Sequence, residues 1–288
     1  MKIKKFLNTG IWSYIFQRMI IWYPARRIIS GFISKIKPVN EKLLENSVDI
    51  QDLDNQGIFF LKSFVENNTI DQIKKHLTGA SLKERFSPYR SDFTIDDVPP
   101  NVHVAVYSTE HILKCPEVLR IANHPLLLSI AAKYLGCKPT ISNISIWWSF
   151  PADGSAQEAE NFHRDVDDWK FVKFFLYLSD VDIESGPHFF VKSSHKSTKF
   201  LKIRRISDEE VAEAFSKDQV LCMEGKTGDA FMEDTFGLHK GLPPTKNRRL
   251  LLQVEYSLNP IAVYHYQKVL NNDSTHSFDK YINRLYLA

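Results

Sequence analysis

Thr140-Ile141-Ser142-Asn143-Ile144-Ser145-Ile146-Trp147-Trp148-Ser149-Phe150 alternates polar residues with β-branched or aromatic ones, which predicts a strand with one apolar face. Downstream, Phe171 to Leu178 is apolar except for Lys173 and reads as a strand buried on both sides. Phe189-Phe190-Val191, Asp229-Ala230-Phe231-Met232 and Leu250 to Ser257 read as further strands, separated by turns at Asp180–Gly186 and Gly225–Gly228. Upstream, Phe59 to Phe64 suggests a short strand, and Asn67-Asn68-Thr69 offers a cap for a helix over Ile70–Leu77 that Gly79 stops. Pro116 and Pro125 open two consecutive helices, the second closed by Gly136, and Ser207-Asp208-Glu209-Glu210 has the capping-box form. Residues 83–100 are polar and proline-punctuated, a loop long enough to act as a lid. Helices first and strands later, with frequent turns, point to an α+β chain with an antiparallel double-sheet core.

A chain of 288 residues can bury one generous core. We expect a single domain over residues 41–288, preceded by a basic, aromatic arm at residues 1–40. The arm holds Lys2, Lys4, Lys5, Arg18, Arg26, Arg27, Lys35 and Lys37 and no acidic residue; removing those eight charges from the formal +3 leaves −5 on the rest. Its apolar run Ile11–Tyr23 is broken by Arg18, stopped by Pro24 and too short to span a bilayer. No small-residue cleavage site follows it, so a signal peptide is not expected. Peripheral membrane contact is one reading of the arm, and packing on its own domain or on a second subunit is the other. Cys115, Cys137 and Cys222 are odd in number, widely spaced and contain no CxxC, which indicates neither a disulfide framework nor a thiolate zinc site and predicts a reducing, cytoplasmic compartment.

The chemistry centres on His163-Arg164-Asp165, answered by His239. At i and i+2 of an extended segment, His163 and Asp165 project to one side while Arg164 points away. Two imidazoles and one carboxylate fill one face of an octahedral metal and leave three positions open, as a non-haem iron(II) oxygenase needs. The same donors plus water would also suit tetrahedral zinc in a hydrolase. A non-catalytic jelly-roll module with a vestigial metal site is a third possibility.

Phe162-His163-Arg164-Asp165-Val166-Asp167-Asp168-Trp169, Phe174 to Val181, Glu184 to Lys196, Gly228-Asp229 and His239 through Tyr256 together resemble the phytanoyl-CoA dioxygenase-like family. The resemblance covers roughly residues 45–260. It implies a double-stranded β-helix, a jelly-roll or cupin-like core with flanking helices, using Fe(II), 2-oxoglutarate and O2. It implies His163, Asp165 and His239 as the iron ligands and catalytic centre, hydroxylation of a small molecule as the reaction, and no nucleic-acid partner. The retained carboxylate of Asp165 argues against halogenation. The family also places an arginine at the start of the last core strand to grip the distal carboxylate of 2-oxoglutarate, a bidentate task suited to guanidinium.

Arg248 and Arg249 both stand there. Alternation puts Arg248 with Leu250, Leu252 and Val254, and Arg249 with Gln253 and Glu255. The more apolar face is expected to look into the barrel, which favours Arg248 for the cosubstrate. Many relatives have His-Gly-Ser where this chain has His239-Lys240-Gly241, and Asn143 or Thr235 is expected to replace the missing hydroxyl. Lys173 is expected to snorkel outward, and His195 to serve a turn. Trp147, Trp148 and Trp169 are expected mainly in the core, while Asp167 and Asp168 could orient a polar substrate or solvate a loop. The basic arm favours a lipid or lipid-linked substrate; the oligomeric state is open.

Overall fold

Ten strands and nine α-helices are present among the residues described in the computed structural model, which are 9–39, 41–45, 48–87, 90–270 and 276–288. The strands are β1 (Ile58–Leu61), β2 (Leu82–Glu84), β3 (Val104–Tyr107), β4 (Thr140–Ser149), β5 (Phe171–Tyr177), β6 (His188–Val191), β7 (Val220–Met223), β8 (Ala230–Glu233), β9 (His239–Gly241) and β10 (Arg249–Ser257). Helices α1 (Thr9–Met19) and α2 (Tyr23–Lys35) form the arm. They are followed by α3 (Glu41–Glu45), α4 (Gln51–Gln56), α5 (Asn67–Leu77), α6 (Thr109–Leu113), α7 (Pro116–Ala122), α8 (Pro125–Leu135) and α9 (Asp208–Ala214).

The strands form a seven-stranded sheet, β1-β8-β5-β10-β4-β3-β2, and a three-stranded sheet, β7-β6-β9, and every pairing is antiparallel. Together they make the jelly-roll core that the strand pattern and the family resemblance led us to expect. Mutual hydrogen bonds between His163 and His239 (3.0 and 3.1 Å) add a one-residue bridge beside β9. That bridge brings the His163 segment next to β9.

The large sheet has two unlike faces. Leu250, Leu252, Val254 and Tyr256 of β10 join Ile144 and Ile146 of β4 and Phe174 and Leu176 of β5 in the core shared with α7 and α8. Each fully buried aliphatic side chain there contributes about 1.5–3 kcal/mol by leaving water. The other face looks toward the small sheet, where Phe175, Tyr177, Phe231 and Leu251 meet Phe190 and Met223. The expected punctuation of α8 is present: Pro125 occupies its first turn, and Gly136 caps it with φ +77°. The segment 83–100 begins within β2, and Phe93 bridges back to Leu82.

Candidate active site

The three residues singled out by their chemistry converge. One donor atom from each of His163, Asp165 and His239 lies within 4.8 Å of the others. His163 Nε2 is 3.5 Å from Asp165 Oδ1, and His239 Nε2 is 3.4 Å from Asp165 Oδ2. Each imidazole is oriented from behind, with Nδ1 of His163 against the Asn161 carbonyl (2.9 Å) and Nδ1 of His239 against that of Gly237 (3.0 Å). Nδ1–H donation to a carbonyl fixes the tautomer that leaves the Nε2 lone pair for a cation.

Burial pushes the His163 imidazole down to about 4, helped by the charge of His239. Burial works the same way on His239, but the Asp165 carboxylate outweighs it and raises that imidazole above its ordinary range. Burial alone would raise the Asp165 carboxyl, yet Lys173 and His239 hold it well below the usual carboxylate range. A cation binding at the three donors displaces the His239 proton, so metal affinity rises with pH.

Lys173 does not snorkel outward. It is buried, and its Nζ donates to Asp165 Oδ2 (2.7 Å) and Asp167 Oδ2 (2.8 Å). Strand register places Lys173 between Glu233 on β8 and Glu255 on β10, but the carboxylates it is bonded to are those of Asp165 and Asp167. Burial opposes the charge, but Asp165 and Asp167 keep it well above the ordinary lysine value. Glu255 has no hydrogen-bond partner for either oxygen among the described residues, and burial raises its carboxyl well above the normal range.

His163, Asp165, His239, Lys173 and Asp167 line a cavity of about 340 Å³. Of the two arginines at the head of β10, Arg249 lines it and Arg248 does not, so the expectation for Arg248 is corrected. Arg248 is exposed, over the Trp148 ring at 4.9 Å and near the Ile95 carbonyl at 3.5 Å. Arg249 is buried, and its Nη2 donates to Ser149 Oγ at 3.2 Å, while its Nε and Nη1 have no partner among the described residues. The alternation was sound, but the apolar face of β10 is the one that packs on the helices. The face with Arg249, Leu251 and Gln253 lines the cavity.

A buried guanidinium with two orphaned donors is costly unless an anion meets it. Gly241 keeps the space beside it open: a Cβ there would lie 3.2 Å from Arg249 Nη2. Gly241 is two β9 residues beyond His239, roughly 7 Å along a strand. The three donors and the guanidinium thus line one cavity, with Gly241 beside the guanidinium and His239 two residues before it on β9.

Asn143 also lines the cavity, but it is not a neighbour of this arginine. It pairs with Glu255, whereas Ser149 pairs with Arg249, a separation of about 20 Å along β4. The hydroxyl beside the guanidinium belongs to Ser149. Thr235 is buried, its hydroxyl has no partner among the described residues, and it is not among those lining the cavity.

His188 and Glu233 escaped the sequence reading. The His188 ring stacks on His239 with centroids 5.5 Å apart and planes at 19°, and its Nε2 lies 3.0–3.2 Å from the Glu233 carboxyl. Burial pushes His188 well below its ordinary value and Glu233 up to about 8, so both are neutral near pH 7 and share a neutral hydrogen bond. The period-two pattern of β6 placed His188 inside, a signal hidden by its neighbours Phe189 and Phe190.

Of the three tryptophans only Trp147 faces the cavity. Trp148 donates to Tyr107 Oη, and Trp169 meets Phe16 and Arg26. Asp167 lines the cavity, while Asp168 turns away to accept from the Trp169 and Asn259 backbone N–H groups. His195 sits in a turn, its Nε2 3.1 Å from the Asp54 carbonyl. Arg85 and Phe86 bring the start of the 83–100 loop to the cavity.

No curated protein matches the chain by sequence. Its fold is similar to HygX from Streptomyces hygroscopicus, crystallised with nickel and 2-oxoglutarate, at 14% identity and a TM-score of 0.52, covering 77% of this chain and 91% of that one. A structure of HygX that also contains hygromycin B gives a TM-score of 0.50 at the same identity and coverage. AviO1 from Streptomyces viridochromogenes Tue57 is 19% identical, with a TM-score of 0.49 over 72% of this chain and 92% of that one. The phytanoyl-CoA dioxygenase (PhyH) family matches residues 53–248, and the chain belongs to that family.

Proposed function

We propose that the protein is an Fe(II)- and 2-oxoglutarate-dependent dioxygenase that hydroxylates a small molecule, with residues 41–288 as its oxygenase domain. The observation that carries this reading is the buried Arg249 guanidinium, with two donors unpartnered, about two strand residues from His239. The donor set fits the metal: two imidazoles and a carboxylate on one side of the cavity leave the opposite positions free. The relative in fold HygX, crystallised with nickel and 2-oxoglutarate, supports the same reading.

In this proposal His163, Asp165 and His239 hold the iron, and Arg249 with the Ser149 hydroxyl fixes the distal carboxylate of 2-oxoglutarate. When bound, iron(II) with 2-oxoglutarate and O2 supplies the oxidising power for attack on a C–H bond. Lys173 keeps Asp165 ionised and aimed, and His188 packs the His239 ring in place. Phe175, Trp147 and Leu251 exclude water, as oxidation chemistry requires of its protein shell. Asn143, Gln253 and Tyr264 offer polar contacts on the far side of the metal ligands, where the substrate would lie. The arm supports a lipid-associated substrate and a cytoplasmic enzyme in peripheral contact with membrane.

A zinc hydrolase would use the same three ligands but gives Arg249 nothing to bind, and a non-catalytic jelly roll leaves both unexplained. Succinate formation from 2-oxoglutarate, with and without added iron(II), tests the proposal. Iron-dependent succinate is the expected result. Failure to bind iron(II) or to turn over 2-oxoglutarate under O2 with a broad substrate panel would sink it.

A further inference from the structure

Helix α2 packs Ile29 and Ile33 against the core and leaves a second apolar row uncovered. Its most buried residues are Arg26, Ser30 and Ser34, while Ile28, Phe32 and Ile36 on the opposite side are 62%, 68% and 83% exposed. A helix on a soluble surface ordinarily turns its apolar stripe inward. Here the inward side is fixed by polar bonds as well as by Ile29 and Ile33. Arg26 Nη1 donates to the carbonyls of Gln17 and Ile20, and its Nη2 to that of Asp168. Gln17 Nε2 donates to the carbonyls of Val166 (3.1 Å) and Asp167 (2.9 Å). Rolling the arm to hide Ile28 and Phe32 would expose Ile29 and Ile33 and orphan these buried donors. The apolar exposure continues through Met19 and Trp22 at the junction of α1 and α2.

The charge beside this stripe has one sign. Arg27, Gly31 and Lys35 recur every fourth residue next to Ile28, Phe32 and Ile36, and both cations are exposed. Arg27, Ile28, Phe32 and Lys35 border one shallow depression. No acidic residue occurs anywhere in residues 1–40.

We infer that the outer face of α2, with Met19 and Trp22, docks flat on an anionic lipid bilayer. Apolar side chains would enter the acyl boundary while Arg27 and Lys35 meet the headgroups, and Trp22 suits the interface between them. Among the described residues no helix is long and apolar enough to cross a membrane, so the arm lies on the bilayer. A second copy fits less well, because a two-fold interface on this face would set the Arg27 and Lys35 rows against themselves. The same arm is bonded to Val166–Asp168, directly after the proposed metal ligand Asp165, so the docking surface and the cavity wall share one short segment. This inference deepens the lipid-associated reading but is tested without any turnover.

The experiment is co-sedimentation of the full chain with vesicles of phosphatidylcholine alone or with roughly one-third phosphatidylglycerol. Binding is expected only to the anionic vesicles and should fall as salt is raised. The double variant Ile28→Glu, Phe32→Glu should bind at least about tenfold more weakly, and Arg27→Gln or Lys35→Gln each about fivefold more weakly. Thermal melts of all variants, and their iron-dependent succinate formation where the wild type has it, should be unchanged. No binding of the wild type to anionic vesicles, or full binding by the double variant, would overturn the inference. So would a wild-type dimer in sedimentation velocity that the double variant converts to monomer, which would assign the face to a second copy.

Discussion

The two faces of β10 share one backbone and meet opposite surroundings. Leu250, Leu252 and Val254 press on α7 and α8, where shape and apolar area decide their contribution. Arg249, Leu251, Gln253 and Glu255 look between the sheets, where Arg249 and Glu255 keep polar atoms without partners. In a helix-backed jelly roll, then, the greasier face of a central strand points at the helices and the site lies on the more polar face. On this strand the unpartnered guanidinium of Arg249 marks the cavity face, which hydrophobicity alone did not.

The division between a chemical face and a structural face can be broken in several ways. The largest effect should come from Asp165→Ala, which removes the carboxylate shared by both imidazoles and should abolish iron-dependent succinate formation; full turnover in that variant would show that the metal site is misassigned. Next, Leu252→Ala on the helix side should cost about 2–5 kcal/mol in denaturant unfolding while leaving turnover per folded molecule unchanged. A selective loss of turnover with normal stability would erase the distinction between the faces.

Glu233 sharpens the comparison through pH. Its carboxyl, held near about 8 by burial, binds a proton in the folded state that the unfolded chain has released above about 4.5. Folded protein thus binds more protons in that window, so stability falls as pH rises, by roughly 1.4 kcal/mol per unit. Glu233→Gln should flatten the slope between those pH values in urea unfolding; an unchanged slope would assign it to other groups. The smallest effect is expected of Arg248→Ala, which gives up a surface contact with Trp148 and should shift stability by no more than about 1 kcal/mol.

Much of this was legible in the sequence. The period-two run of β4 and the apolar run of β5 announced central strands, and Pro125 with Gly136 bounded α8. His163, Asp165 and His239 were legible because metal chemistry restricts residue type and spacing. Lys173 was misread because its partners come from other segments: Asp165 and Asp167 from the loop, Glu233 and Glu255 from flanking strands. The same limit hid His188 and Glu233, which acquire meaning only when β6 and β8 face each other. Arg248 was preferred over Arg249 because strand alternation reports two faces but not which one the helices cover. The arm was legible as basic and aromatic, yet only the structure reveals that Arg26, Ser30 and Ser34 are turned inward while Ile28 and Phe32 are left exposed.

The most direct test of the central claim is an anaerobic calorimetric titration of 2-oxoglutarate into the iron(II)-loaded wild type and the Arg248→Ala and Arg249→Ala variants. The account predicts that Arg248→Ala binds like the wild type, while Arg249→Ala, having lost a buried charge-assisted contact, binds on the order of 10²-fold more weakly. Normal affinity in Arg249→Ala with loss in Arg248→Ala would contradict it.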